Sequence, residues 1–234
     1  MFEIFASLRM ALGLVAGADP ELARIVLLSL ELSLGAAVAG AAVGLPLGAL
    51  VAIARFPGRR ALIVGLNALL GLPSVVVGLV VYLLLSRAGP LGPLGLLFTP
   101  TAIVIAQSLL VMPIVAALAR QVVEDAWAEY AEQLRSLGVG TARAVATLLW
   151  DTRYSLLTVA LAGFGRAASE VGAVMIVGGN IDGVTRVMTT AIALETSKGD
   201  LPLALGLGIV LIAVVLAVNA AAYAVREWSA RRHG

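Results

Sequence analysis

Apolar residues gather along the chain into five long runs, at about 25–54, 61–85, 101–118, 155–177 and 201–225. A helix needs roughly 20 mainly apolar residues to cross about 30 Å of hydrocarbon. Each run therefore predicts a transmembrane helix. None alternates apolar and polar positions as the strands of a membrane barrel do, and lipid admits no other open backbone. A sixth stretch, residues 2–16, reads FEIFASLRMALGLVA. At about 1.5 Å per residue it extends only about 22 Å, so it either lies in the interface or crosses with tilt, and the sequence leaves both open. Residues 1–22 are thus a short N-terminal helix followed by an outer loop. The whole chain, 1–234, is one all-α polytopic bundle of five to six spans.

Between the third and fourth runs, residues 119–153 carry a different pattern. Trp127, Tyr130, Ala131, Leu134 and Leu137 recur at helical spacing, with Glu124, Asp125, Glu129, Glu132, Gln133 and Arg135 largely on the other faces. This predicts an amphipathic helix starting near Glu124, its acidic residues placed where a helix dipole favours them. Gly138 and Gly140 supply a stop, because glycine accepts the left-handed conformation past a helix end. Thr141 is positioned to cap a second helix over 142–151. The apolar face of this unit either docks on another protein or packs against the chain's own helix ends.

Charge turns these runs into a topology. Of 16 cationic residues 15 are arginine, and Lys198 is the remaining one. Arg55, Arg59 and Arg60 follow the first run, Arg120, Arg135, Arg143 and Arg153 lie in 119–153, and Arg226, Arg231 and Arg232 follow the last. Loop 88–100 carries no charge. Short loops rich in arginine stay on the cytoplasmic side. Loops 55–60 and 119–153 and the C-terminus are therefore expected inside, and 17–22, 88–100 and 179–200 outside. The first residues lack a basic stretch and contain Glu3, so no cleaved leader is expected.

Composition agrees: 61% of residues are hydrophobic, 13% are charged and the mean hydropathy is +1.03. A soluble domain is about 25% charged. The net charge of +2 sits at the ends of apolar runs rather than in a patch with aromatics, which is no nucleic-acid signature. There is no cysteine, so disulfides and thiolate metal sites are excluded. Neither a catalytic residue nor a metal site is expected. An intramembrane protease would need a catalytic set that a single histidine, His233 at the tail, does not supply.

Polar groups inside the spans are the candidates for chemistry. Arg166 and Glu170 stand four apart in the fourth run, and Glu31 lies in the first. Charges at membrane depth face a bundle interior or a water cavity. The pair is either an ion pair that locks packing or a source of positive potential along an anion path, where the planar donors of arginine suit oxyanions. With Arg166, Ser169 and Glu170, the candidate pathway includes Asn180, Thr189 and Thr190 near the outer face, which could equally be ordinary cap residues. The glycines of the first run, among them Gly40, Gly44 and Gly48, read as close helix packing.

Two segments resemble a known family. Glu132-Gln133-Leu134-Arg135-Ser136-Leu137-Gly138 is similar to the EAA loop of ABC importer permeases, with glutamate and glycine six apart. Gln133 and Leu134 replace its alanines, and Leu149-Trp150-Asp151 stands where many members carry leucine-proline. The stretch 163–200 resembles permeases for molybdate, sulfate and tungstate: Gly163-Phe164-Gly165-Arg166, Ser169-Glu170-Val171-Gly172-Ala173, Gly178-Gly179-Asn180 and Thr185-Arg186-Val187-Met188-Thr189-Thr190. It is most similar to the tungstate branch. The resemblance implies a type I importer transmembrane domain in a prokaryotic plasma or inner membrane. It implies a second copy of the chain, ATPase subunits that grip Glu132, Arg135, Ser136, Leu137 and Gly138, and an extracytoplasmic oxyanion-binding protein. ATP and magnesium would be used by the ATPase. The chain has no G-x-x-x-x-G-K-[ST] loop, so no cofactor is expected of it. Other readings are the same kind of permease for molybdate or sulfate, and a stand-alone channel or secondary transporter.

Overall fold

The computed structural model describes residues 2–17 and 19–233. Met1, Ala18 and Gly234 lie outside the described residues, as do the side chains of Arg226, Arg231, Arg232 and His233. Ten α-helices occur among the described residues: α1 (Phe2–Ala16), α2 (Pro20–Ile53), α3 (Arg59–Leu69), α4 (Ser74–Leu85), α5 (Pro100–Ser136), α6 (Thr141–Asp151), α7 (Arg153–Ala168), α8 (Gly172–Gly178), α9 (Met188–Lys198) and α10 (Leu201–His233). Three helices are long and apolar enough to cross a membrane: Pro20–Ile53, Pro100–Ser136 and the Leu201–Ala221 part of α10. Counting α3 with α4, and α7 with α8, as broken spans brings the total to five.

Local chemistry explains the ends. Asp19 accepts hydrogen bonds from the Glu21 and Leu22 amides at 3.0 and 3.1 Å, and Pro20 occupies the first helical position, where its missing N–H costs nothing. So α2 begins five residues before the apolar run, and half of the expected outer segment 17–22 is helical. At the other end Arg59 donates from Nε to the Val51 carbonyl at 2.7 Å and from a terminal nitrogen to that of Ala52 at 3.2 Å. These are carbonyls that a helix end leaves open.

Two expectations are corrected around residues 119–153. The third span and the amphipathic helix are one helix: α5 runs without interruption for 37 residues. It is about 55 Å long, so it can cross about 30 Å of hydrocarbon and continue well beyond it. Glu124 consequently sits mid-helix, and its carboxylate is held by side chains, not by a helix dipole. Thr141 is not a cap either. Gly140, extended at φ −71° and ψ 159°, precedes α6, and no side chain caps it.

The chain divides into two compact units, each assembled from three segments. In the unit of residues 1–35, 73–107 and 167–217, the start of α2 packs with α9 and α10 through Leu22, Ile25, Met188, Ala191 and Leu207. In the same unit α4 meets α8 at Gly78, where a Cβ would come within 2.7 Å of the Ala173 Cα. In the unit of residues 36–72, 108–166 and 218–234, α2 lies against α5 through Gly40, Gly44 and Gly48. A Cβ on Gly44 would stand 2.8 Å from the Met112 carbonyl oxygen, and one on Gly48 would collide with that of Ala116. The expected packing role of these glycines holds.

Candidate functional site

The first candidate region is the end of α5. Leu137 is followed by Gly138 at φ +68°. The Gly138 amide donates to the Arg135 carbonyl at 3.0 Å and the Val139 amide to that of Leu134 at 3.0 Å. This paired closure around a left-handed glycine ends the helix without a side-chain cap. Leu134 and Val139 both pack on a core of Ala49, Ala52 and Ile53 from α2, Ala119 and Val123 from α5, Ala144 and Leu148 from α6, and Leu156 from α7. Trp127 and Tyr130 join the same core. Most of the amphipathic face is therefore satisfied within the chain.

The tip is different. Glu132, Arg135, Ser136, Leu137 and Gly138 are all exposed, and Leu137 shows 76% of its surface. Arg135 rests over the Trp127 ring at 5.2 Å, and the Ser136 hydroxyl donates to the Gln133 carbonyl at 2.8 Å. The five predicted coupling residues thus form one exposed turn on a helix end held from beneath. Glu124, about two turns before Ala131, is bonded by Arg120 on α5 and by Arg59, at 2.8 Å, from the start of α3. The end of α2 and the start of α3 are tied to α5 through Arg59 and this carboxylate.

The second candidate region is the polar interruption after α7. The helix stops at Ala168, so Arg166 and Glu170 do not lie along one uninterrupted helical face as their spacing predicts. The reason is visible in the hydrogen bonds of Glu170, which is only 3% exposed. Its carboxylate accepts from the Ala173 amide at 3.1 Å, at the start of α8, and its own carbonyl accepts from the Thr189 hydroxyl at 2.7 Å. The Ala167 carbonyl accepts from the Gln107 side-chain amide at 2.9 Å. A break at membrane depth needs such partners for the backbone groups it frees.

The other pathway candidates occupy internal positions. Thr190 is fully buried, and its hydroxyl lies 3.1 Å from both the amide and the carbonyl of Val187 at the start of α9. Thr189 is 7% exposed. Asn180 takes the left-handed conformation at φ +51° beside Gly179 at φ +70°, and its side-chain nitrogen reaches the Thr190 carbonyl at 3.4 Å. Asn180 and Thr190 meet at the turn from α8 to α9, and Thr189 joins α9 to the break after α7. Arg166 is half-buried, Ser169 is exposed, and Glu31 is exposed on α2 rather than buried with Glu170. The expected outer loop 179–200 contains α9, whose Met188 amide donates to the Ser29 hydroxyl at 2.6 Å.

Sequence reasoning passed over Gln107, Ser29, Thr185 and Glu195, all buried. The available signal was a polar residue inside or beside an apolar run. Among the described residues no group of three or more His, Cys, Asp or Glu could hold a metal ion.

Residues 44–233 match the family described as binding-protein-dependent transport system inner membrane component. The chain is 42% identical over 227 residues to the tungstate uptake system permease protein TupB of Peptoclostridium acidaminophilum, covering 97% of this chain and 100% of that one. It is 40% identical over 219 residues to a probable anion ABC transporter permease protein of Haloferax volcanii, covering 91% and 94%. Similarity to the sulfate transport system permease protein CysT of Salmonella typhimurium is lower, 28% over 169 residues, 69% of this chain and 61% of that one.

Proposed function

This chain belongs to the binding-protein-dependent transport system inner membrane components, and on that premise we propose that it is the membrane-spanning permease subunit of an ATP-driven importer of tungstate. Two copies form the pathway. ATPase subunits, which use the ATP and magnesium, grip the turn Glu132–Gly138 from the cytoplasm. An extracytoplasmic protein captures the anion and delivers it. The C-terminus and the region 119–153 face the cytoplasm.

The observation that carries this reading is the exposed turn at the end of α5. A 37-residue helix can pass from the bilayer into water as one body, and its last residues are exposed while its lower flank is packed on α2 and α6. Movement imposed on that turn is thereby carried to the membrane segment. The substrate is supported by the 42% identity to a tungstate permease along the whole of both chains, against 28% over part of a sulfate permease. Arg166, Ser169 and Glu170 lie at the broken span and lend the pathway positive potential or shape, while selectivity rests with the binding protein. A transport path that held its dianion tightly would stall release.

The test is reconstitution of the chain with its ATPase and binding protein in liposomes, with tungstate, molybdate and sulfate offered side by side. ATP-dependent uptake that prefers tungstate is the expected result. Preference for another of the three keeps the mechanism and replaces the substrate. Uptake without ATP would make the chain a channel or secondary transporter.

A further inference from the structure

The unit of residues 36–72, 108–166 and 218–234 holds a groove of about 540 Å³ between the middle of α2 and the junction of α6 with α7. Val38, Leu45 and Pro46 form part of one wall, and Leu149 and Leu157 part of the other. Of the ten residues that line it, nine are apolar and one, Arg153, is charged. Arg153 is fixed in place: it donates to the Trp150 carbonyl at 2.8 Å, and its guanidinium lies 4.9 Å from the Trp150 ring and 4.6 Å from the Tyr154 ring. Trp150 is 72% exposed.

We propose that this groove is a binding site for an anionic phospholipid, with an acyl chain between α2 and α7 and the headgroup phosphate on Arg153. The walls supplied by α2 and α7 belong to apolar runs long enough to span a membrane, where the medium that fills a groove is hydrocarbon. Tryptophan and tyrosine gather at the level of lipid headgroups, which puts Arg153 at that level with the groove leading away from it. The partners described for Arg153 are a carbonyl and two rings, none of them a carboxylate, so its charge is available to an anion. A guanidinium presents paired donors that match phosphate oxygens, and basic pockets between membrane helices select anionic headgroups. The nine apolar residues account for the chain, and the one cation accounts for the headgroup.

The experiment is native mass spectrometry of the full-length protein released from mild detergent, titrated separately with phosphatidylglycerol and phosphatidylcholine. One arginine near the membrane surface favours the anionic lipid by about fivefold, and this is the expected ratio. Arg153→Gln brings the ratio to about one, and Arg153→Lys keeps most of it. Ala42→Trp, which fills the groove, lowers retention of both lipids. Thermal melting of each variant confirms that it is folded. Unchanged retention and preference in both folded Arg153→Gln and Ala42→Trp overturns the site. So does a folded Ala42→Trp that holds lipid normally but no longer pairs with a second copy, since the groove would then be a seat for that copy.

Discussion

Gly48 shows how little room the closest helix contact leaves. A Cβ there would collide with the Ala116 carbonyl and come within 2.9 Å of the Arg120 amide, both backbone atoms that cannot step aside alone. Gly48→Ala is therefore expected to lower stability by about 1–3 kcal/mol, the usual cost of overpacking, read as a drop in melting temperature in detergent. Gly65, with nothing within 4 Å of an added Cβ, is the control. In the middle of α3, Gly65→Ala should raise stability by about 0.5–1 kcal/mol, because alanine is the better helix former. Equal effects at the two positions would show that the α2–α5 contact has room for a methyl group at Gly48. Arg166 sets a second expectation. In proteoliposomes with the partner subunits, Arg166→Ala abolishes uptake and Arg166→Lys retains part of it. Normal uptake by both variants would remove Arg166 from the pathway. The glycines of this contact were legible as packing because small residues inside an apolar run let helices approach closely. The internal roles of Thr189 and Thr190 were not, since their partners lie in Glu170 and Val187 and only the fold brings the first of these near.

The helices divide into those whose limits are local and those whose limits are not. The apolar runs at 25–54 and 201–225 became α2 and α10 because hydropathy is a property of each residue in place. The runs at 61–85 and 155–177 were read as continuous, and both are interrupted. Pro73, with φ −63° and ψ 120°, marks the first break, which its missing N–H announces. The second is satisfied by Gln107 and Thr189, which donate to the freed backbone carbonyls of Ala167 and Glu170 from 60 and 19 residues away, and no window of sequence carries that. The continuity of α5 has a mechanical consequence. Gly138 is exposed and has open space where a Cβ would go, so strain at φ +68° is the cost of substituting it. Gly138→Val is expected to stay folded, its melting temperature lowered by a few degrees through the strain of about 1–3 kcal/mol, while abolishing substrate-stimulated ATP hydrolysis by the partner ATPase. Gly138→Asn, which tolerates the left-handed region, should restore most of it. Normal stimulated hydrolysis in the valine variant would take the turn out of the coupling step.

At the scale of the whole molecule, topology is the property on which the functional reading depends, and the chain is well suited to its measurement. It contains no cysteine, so a single introduced thiol reports its own side of the membrane without background. Leu137 and Leu94 are exposed, at 76% and 60%, so a thiol at either position is accessible without disturbing a core. The arginine pattern predicts Leu137 in the cytoplasm and Leu94 outside. A membrane-impermeant maleimide added to intact cells should label Leu94→Cys and spare Leu137→Cys, and opening the membrane should make Leu137→Cys reactive. Ser197→Cys, on the exposed face of α9, should behave like Leu94→Cys, because an odd number of spans separates each of them from the turn at Gly138. The reverse pattern would put the exposed turn on the face without ATP, and no ATPase could reach it. Labelling of both Leu94→Cys and Leu137→Cys from outside would mean that α5 does not cross. The length of α5 would then serve something other than coupling, and the transport reading would lose the element that carries it.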